Sequence, residues 1–411
     1  MNTFLGFATC LSIVSISLNA NELKFNTAKV VTQVGKGVFI HLDSSGRRNV
    51  AVSYLNQKTK QKIVAVTWED NRNGKNTVYI SFLTPGAKAF TKPRTLSQGD
   101  SAYEPTIVSL TQGRFLVAWE QSNKIVGRVV NLTASGKAVQ LSRAQARQVS
   151  LAAHQRQVGA VWIEKSDVSA QKAGRQFYTV VYSSLKIKDV TLKKTKTQQV
   201  DQSSNRRAQL YPVLYYNQAG KIVGWEDRRQ GATRMFVSFA ATGKTFGAYT
   251  WINPWKRNPQ LKYGRGIGAM RMGLAGDGKL FVAAVWMDKR NWKGGYDIYT
   301  AFSHNGGKTF GKAQLVQDIL GANMPQWHGT VAVNPKSKQT ITVWDDARDD
   351  TDDLWYSLFL NNAWSDDYTF TAASGPGKQS HPSVTYDSDG VLHLVWLSRS
   401  KGHMRLHYTH N

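Results

Sequence analysis

Cysteine is almost absent from this chain. The only one, Cys10, lies within the first 20 residues. The remainder therefore has no disulfide, no thiolate metal site and no cysteine nucleophile. Acid is also scarce: 27 Asp and Glu stand against 53 Lys and Arg, a formal net charge of +26. Long apolar runs are missing too. Phe4–Leu18 is mostly apolar but short for a bilayer span, and nothing later is longer. No zinc-ligand spacing, nucleic-acid-binding motif or basic amphipathic helix is present. These absences set aside thiol-dependent and sequence-specific nucleic-acid functions, and leave a transmembrane segment without a candidate in the mature chain.

Residues 1–20 are uncharged and end in Leu18-Asn19-Ala20. They read as a secretory signal peptide, although no Lys or Arg stands near the start. A retained anchor is the alternative. The expected organisation is a signal peptide over 1–20 and one domain over 21–411, in a secreted or periplasmic bacterial protein. The charge field attracts polyanions. With export, an acidic polysaccharide or glycoconjugate is the expected partner, bound by a monomer.

The chain is organised by a repeat. Ile222-Val-Gly-Trp-Glu-Asp-Arg-Arg229 has counterparts at Val64–Arg72, Val282–Arg290 and Ile341–Arg348, and weaker copies centre on Trp119, Trp162 and Trp396. The tryptophans of successive copies, seven of the chain's 13, lie 43–63 residues apart, a period that signals a repeat architecture. Each copy reads as four short strands. Strand A is followed by a turn, then by strand B ending at Trp, a loop, strand C, a Gly-rich turn and strand D. The last copy lacks strand D. Phe25–Gln33 matches the D-strand pattern of Phe310–Gln317, so residues 23–33 are expected to complete the final blade and close the ring. The fold class is all-β, a seven-bladed β-propeller of four-stranded blades, with six blades as the alternative count.

Ser303-x-Asn-x-Gly-x-Thr-Phe310 resembles the Asp box of sialidase-like (BNR-repeat) propellers, with Asn at the usual Asp position. Gly243-Lys-Thr-Phe246 and, more faintly, Gly86–Phe90 resemble further copies. The resemblance covers nearly the whole mature chain. It implies a propeller in which these boxes are structural turns between strands C and D, remote from any active site. Sialidases of that superfamily have six blades and an Arg-Ile-Pro sequence. This chain has no Arg-Ile-Pro and counts seven blades. Seven-bladed relatives include polysaccharide lyases and fucose-binding lectins, so the resemblance spans enzymes and binders.

In such a ring the residues just before each A strand converge on one central mouth. By position these are Arg47 and Arg48, Tyr103 and Glu104, Arg147, Arg206, Arg207, Gln209 and Tyr211, Arg265, Trp327 and His328, and His381. The candidate catalytic residues are Tyr103, Glu104, Tyr211, His328 and His381. The candidate substrate-binding residues are Arg47, Arg48, Arg207, Arg265, Trp255 and Trp327. Arginines suit a carboxylate or sulfate through paired hydrogen bonds. A Tyr beside Glu104 suits a glycosidase nucleophile, as the resemblance implies. A His with a Tyr suits proton abstraction beside a uronate carboxylate, the lyase reading. A noncatalytic lectin or scaffold is the third reading.

The Asp and Arg of each Trp-x-Asp-x-Arg copy are expected to tie blade to blade, because one active site does not need four copies. Trp251–Tyr263 is a long aromatic and basic loop expected at the mouth. No cofactor is expected. Asp345–Asp353 carries six carboxylates in nine residues; it reads as a solvated acidic loop, with a Ca²⁺ site as the alternative. Lys186–Lys196 reads as an exposed basic edge.

Overall fold

The computed structural model describes residues 22–42, 46–166, 177–203, 208–229, 231–254, 268–290, 295–318, 324–374 and 376–411. They form seven antiparallel sheets, each built on four strands in the order A to D. Adjacent blades pack on one another all the way round, and the A strands line the centre. Among the described residues the only helix is a 3₁₀ turn at Thr371–Ala373. The molecule is a seven-bladed β-propeller.

The repeat period has a physical cause. Each of the seven tryptophans is fully buried and sits in its own apolar core between two neighbouring blades. An indole needs a partner for its N–H when buried, and the chain supplies one two residues later. Trp68, Trp225, Trp286 and Trp344 donate to Asp70, Asp227, Asp288 and Asp346 at 2.8–3.2 Å. Trp119 and Trp162 donate to Gln121 and Glu164 instead. In the last blade Trp396 donates to Gln379 of strand A.

The arginine of the repeat then reaches the preceding blade. Arg72 bonds Thr32 at 3.0 Å. Arg229 pairs with Asp201 as well as Asp227. Arg348 reaches Asp367 within its blade at 2.8 Å and Asp318 of the blade before at 3.7 Å. The expected blade-to-blade ties are present in three of the four copies; in the other, Arg290 pairs with Asp288 of its own blade. The Ser303–Phe310 turn is also ordered by its own side chains. Gly307 N–H donates to Ser303 Oγ at 2.9 Å and Thr309 N–H to Asn305 Oδ1 at 3.0 Å.

The ring closes as expected. Lys29–Val34 forms the outer strand of the last blade, paired antiparallel with His403–His410. Residues 1–20, the expected signal peptide, lie outside the described residues. The third blade departs from the pattern. Its strand C, Tyr178–Lys188, is eleven residues long. It pairs with the short strand D, Gln198–Gln199, and with Thr191–Lys194 in a projecting hairpin. The basic run forms that hairpin.

Candidate active site

The mouth is built by a recurring defect. In blades 2 to 7 strand A (in order Ala102–Ser109, Ala146–His154, Gln209–Asn217, Ala269–Gly276, Trp327–Val333 and Lys378–Tyr386) is bulged at its start, where its register on strand B shifts. At each bulge one non-glycine residue adopts a left-handed conformation, φ +46° to +60°: Glu104, Gln148, Tyr211, Arg271, His328 and His381. Non-glycine residues seldom hold this conformation, and bulges of this kind re-aim a side chain. Six successive blades thus turn one polar residue each at the mouth. Four of the six are residues read from the sequence as catalytic candidates. Gln148 and Arg271 were not among them.

Four of the six bulges are held by carboxylates from the preceding blade. The residue after the repeat tryptophan accepts the bulge N–H: Glu69 from Glu104, Glu120 from Gln148 at 2.5 Å, Glu226 from Arg271 at 2.7 Å, and Asp345 from His381 at 3.1 Å. The third blade has Ile163 at this position. There the Gln148 side chain takes over, accepting from Tyr211 N–H at 2.7 Å. Sequence reading missed these acids because it treated them as the variable position of Trp-x-Asp-x-Arg. Their signal was present, since that position is acidic after Trp68, Trp119, Trp225 and Trp344.

Blade 1 is different. Its strand A is split into Ile40–His41, paired with Asp70 and Glu69, and Val50–Asn56, paired further along the same neighbour. In place of a bulge the chain makes an excursion into the centre. Gly46 there meets strand A of blade 5: a Cβ would collide with the Met272 carbonyl oxygen, and φ is +71°. Only glycine fits such a position.

The excursion delivers two arginines to different depths. Arg47 is buried and forms an ion pair with Glu104. Arg48 lies near Tyr215 of blade 4, and burial lowers its pKa. Arg207, Arg265 and Trp255, with most of the Trp251–Tyr263 loop, lie outside the described residues.

Three carboxylates gather on one cavity, Glu104 among them with Arg47 as its ion-pair partner. This cavity of about 580 Å³ opens over blades 1 to 3, lined by Glu69, Glu104, Glu120, Tyr103, His41 and Arg147 among others. Part of its wall is the tight turn that joins strands B and C of blade 2, with Ser122 and Asn123 both at positive φ. Burial pushes the Glu120 carboxyl up to about 7, helped by its neighbour Glu104 and opposed by Arg47. Burial likewise pushes Glu69 up to about 8, opposed by the Glu104 N–H bond. Glu120 and Glu104 are close neighbours on this cavity, and the charge of Glu104 adds to the upward shift of Glu120. Near neutral pH the group therefore holds protons that free carboxylates would have lost. Tyr103 and Arg147 are exposed on the rim, and an Arg147 Nη bonds Asn123 at 3.4 Å.

The two catalytic-candidate histidines meet beside this cavity. His328 and His381 stack with ring centroids 3.7 Å apart. Asp345, whose pKa burial raises against the opposing His328 bond, accepts from His328 Nδ1 at 2.8 Å and from His381 N–H. His41 lies edge-on to His381 at 6.2 Å, and its Nδ1 is 3.8 Å from Glu69. An arc of titratable groups thus runs from blade 6 to blade 3. Tyr211 stands apart from it, with the Arg271 guanidinium 3.4 Å from its ring centre. Trp327 is part-exposed and leans on Tyr296, 5.3 Å between ring centres.

The acidic run does not act as one group. Asp345 serves the histidines, Asp346 pairs with Arg348, Asp352 with Lys378, and Asp353 bonds Thr351. Among the described residues no group of three or more His, Cys, Asp or Glu is gathered for a metal ion. No described helix is long and apolar enough to cross a membrane.

No family model and no curated protein matches the chain. Solved structures do. Trypanosoma rangeli sialidase in complex with the inhibitor DANA aligns at 10% identity and TM-score 0.47, over 92% of this chain and 60% of that one. A Penicillium chrysogenum α-L-arabinanase complexed with arabinobiose aligns at 10% and 0.49, over 95% and 98%. A Mycobacterium tuberculosis puromycin-hydrolyzing peptidase aligns at 9% and 0.47, over 92% and 56%. The chain thus spans under two thirds of the length of the sialidase and the peptidase. At these values the fold assignment rests on the seven sheets themselves.

Proposed function

We propose that this propeller is a glycoside hydrolase acting on an acidic glycan at the Glu104–Glu120 cavity. The observation that carries the reading is the carboxylate pair: two neighbouring glutamates lining one cavity, one ion-paired with buried Arg47 and the other holding its proton to about 7. Most glycosidases use two such groups. Glu120 gives its proton to the glycosidic oxygen as the C–O bond breaks. Glu104, held in place by Arg47, either draws a proton from the attacking water or adds to the anomeric carbon itself. The first course inverts the anomeric centre; in the second, a water that gives its proton to Glu120 then displaces Glu104 from that carbon, and the two displacements together retain it. Arg147 on the rim suits the acid group of the sugar, and Tyr103 suits its apolar face.

A second reading is elimination from a uronate polymer. It is favoured by the stacked His328 and His381, which offer a base close to the same cavity. One experiment separates the two. The chain is incubated with sialosides, uronate polymers, sulfated polysaccharides and a neutral glycan, and products are read both as reducing ends and as unsaturated-uronate absorbance. Reducing ends without new absorbance support hydrolysis. New absorbance supports elimination. Turnover of neither kind, with salt-sensitive binding of the acidic polymers, overturns both and favours a lectin.

A further inference from the structure

The face opposite the mouth carries a larger cavity, about 810 Å³, formed where the A–B turns of blades 1, 2, 3 and 7 meet the projecting hairpin of blade 3. We infer that it is a second, noncatalytic site that holds the acidic groups of a polysaccharide. The inference shares with the proposed function only the class of ligand.

The first argument is charge. Arg156 and Lys186 line the cavity and are exposed. Lys188, Lys193 and Lys196 continue the same sign along the hairpin. The hairpin is anchored at the rim, because Arg114 donates to Thr111 O of its own turn and to Asp189 O of the hairpin tip, both at 3.0 Å. The one lining acid, Asp387, is already engaged by Lys62 at 2.6 Å and His393 at 3.2 Å. The cavity therefore offers cations without a competing free carboxylate among its lining residues. His154 adds a ring nitrogen, Nε2, that is buried and has no partner.

The second argument is the kind of polymer. Gln57, Gln112 and Gln155 stand exposed on the turns of three successive blades and line the same cavity. Each amide can both donate and accept, which suits sugar hydroxyls. A single-stranded nucleic acid instead needs aromatic faces on which bases stack. The two lining tyrosines are only part-exposed, and their hydroxyls are committed: Tyr54 to Asp389 at 2.7 Å and Tyr386 to Gln339 at 3.3 Å.

The test is binding of dextran sulfate to the full chain, with uncharged dextran and a single-stranded oligonucleotide of equal charge as competitors. Arg156→Ala with Lys186→Ala is expected to weaken dextran sulfate binding about tenfold or more, from the loss of two charge-assisted contacts. Gln112→Ala with Gln155→Ala is expected to weaken it by a smaller, measurable factor. Lys312→Ala with Lys401→Ala, exposed cations elsewhere, serves as the charge control and is expected to change it less than twofold, roughly the size of a weak surface effect. Equal losses in the control pair and the cavity pair overturn the site. Displacement by the oligonucleotide as effective as by dextran sulfate itself overturns the glycan assignment. Glu104→Gln is expected to leave this binding intact, so a failure of the hydrolase reading and a failure of this site are told apart.

Discussion

At the scale of single residues, the mouth is governed by where protons sit. Glu69 and Glu120 are buried acids whose folded-state pKa values, about 8 and about 7, lie above those of free carboxyls. Asp367 and Asp297 are also raised by burial, to about 7 and about 6. A group of this kind stabilises the fold fully below its unfolded pKa, and that contribution is lost as pH rises through the folded value. The melting temperature is thus expected to fall by a few degrees between pH 5 and pH 9. Glu69→Gln, which cannot ionise, is expected to flatten part of that slope in thermal melts taken across the range. Activity carried by a proton on Glu120 is expected to decline as pH rises above about 7.

Gly46 tests the same site from the backbone. Gly46→Ala forces a Cβ against the Met272 carbonyl oxygen at positive φ. The excursion must shift, at a cost of about 1–3 kcal/mol, and Arg47 moves away from Glu104. Turnover is expected to fall far more than stability does, which paired activity and denaturant-unfolding measurements will check. Equal losses would mean that the excursion braces the ring and does not position the site.

At the scale of elements, the bulge and the tryptophan repeat explain what the sequence could and could not disclose. The fold was legible because one requirement, a buried indole with a nearby acceptor, recurs in every blade. Strand starts converge in any propeller, which is why Glu104, Tyr211, His328 and His381 could be named without coordinates. Glu69 and Glu120 were hidden inside a motif whose Asp and Arg are structural, so their adjacency to Trp read as incidental. Blade 1 misleads for another reason. Its strand A is interrupted by residues 42–49, and no periodic pattern indicates that Arg47 pairs sideways with blade 2 while Arg48 lies near blade 4. The structural role of the repeat arginines gives a direct prediction. Arg229 is buried between Asp201 and Asp227, with 2% of its side chain exposed. Arg229→Ala leaves two buried carboxylates facing each other and is expected to cost about 3–5 kcal/mol in denaturant unfolding. A loss below about 1 kcal/mol, the range of an exposed pair, would contradict its assignment as a tie between blades.

At the scale of the whole molecule, the ring separates support from chemistry. Indole cores and Asp–Arg ties hold the blades together around the circumference. The N-terminal strand closes the circle, so no sheet edge is left open at the junction of the chain's two ends. The centre is then free to carry strained, polar residues that no single blade could hold. The high positive charge acts on association with acidic polymers and not on the fold. The central claim is that the Glu104–Glu120 pair breaks a glycosidic bond. The measurement that meets it most directly is reducing-end release by Glu104→Gln and Glu120→Gln beside the unaltered chain, on whichever acidic glycan the unaltered chain cleaves. Both variants are expected to lose activity by about 10²–10⁴-fold while melting within a few degrees of the parent. Unchanged release by either variant, folded and at the same concentration, would contradict the account and move the chemistry to the histidines of blades 6 and 7.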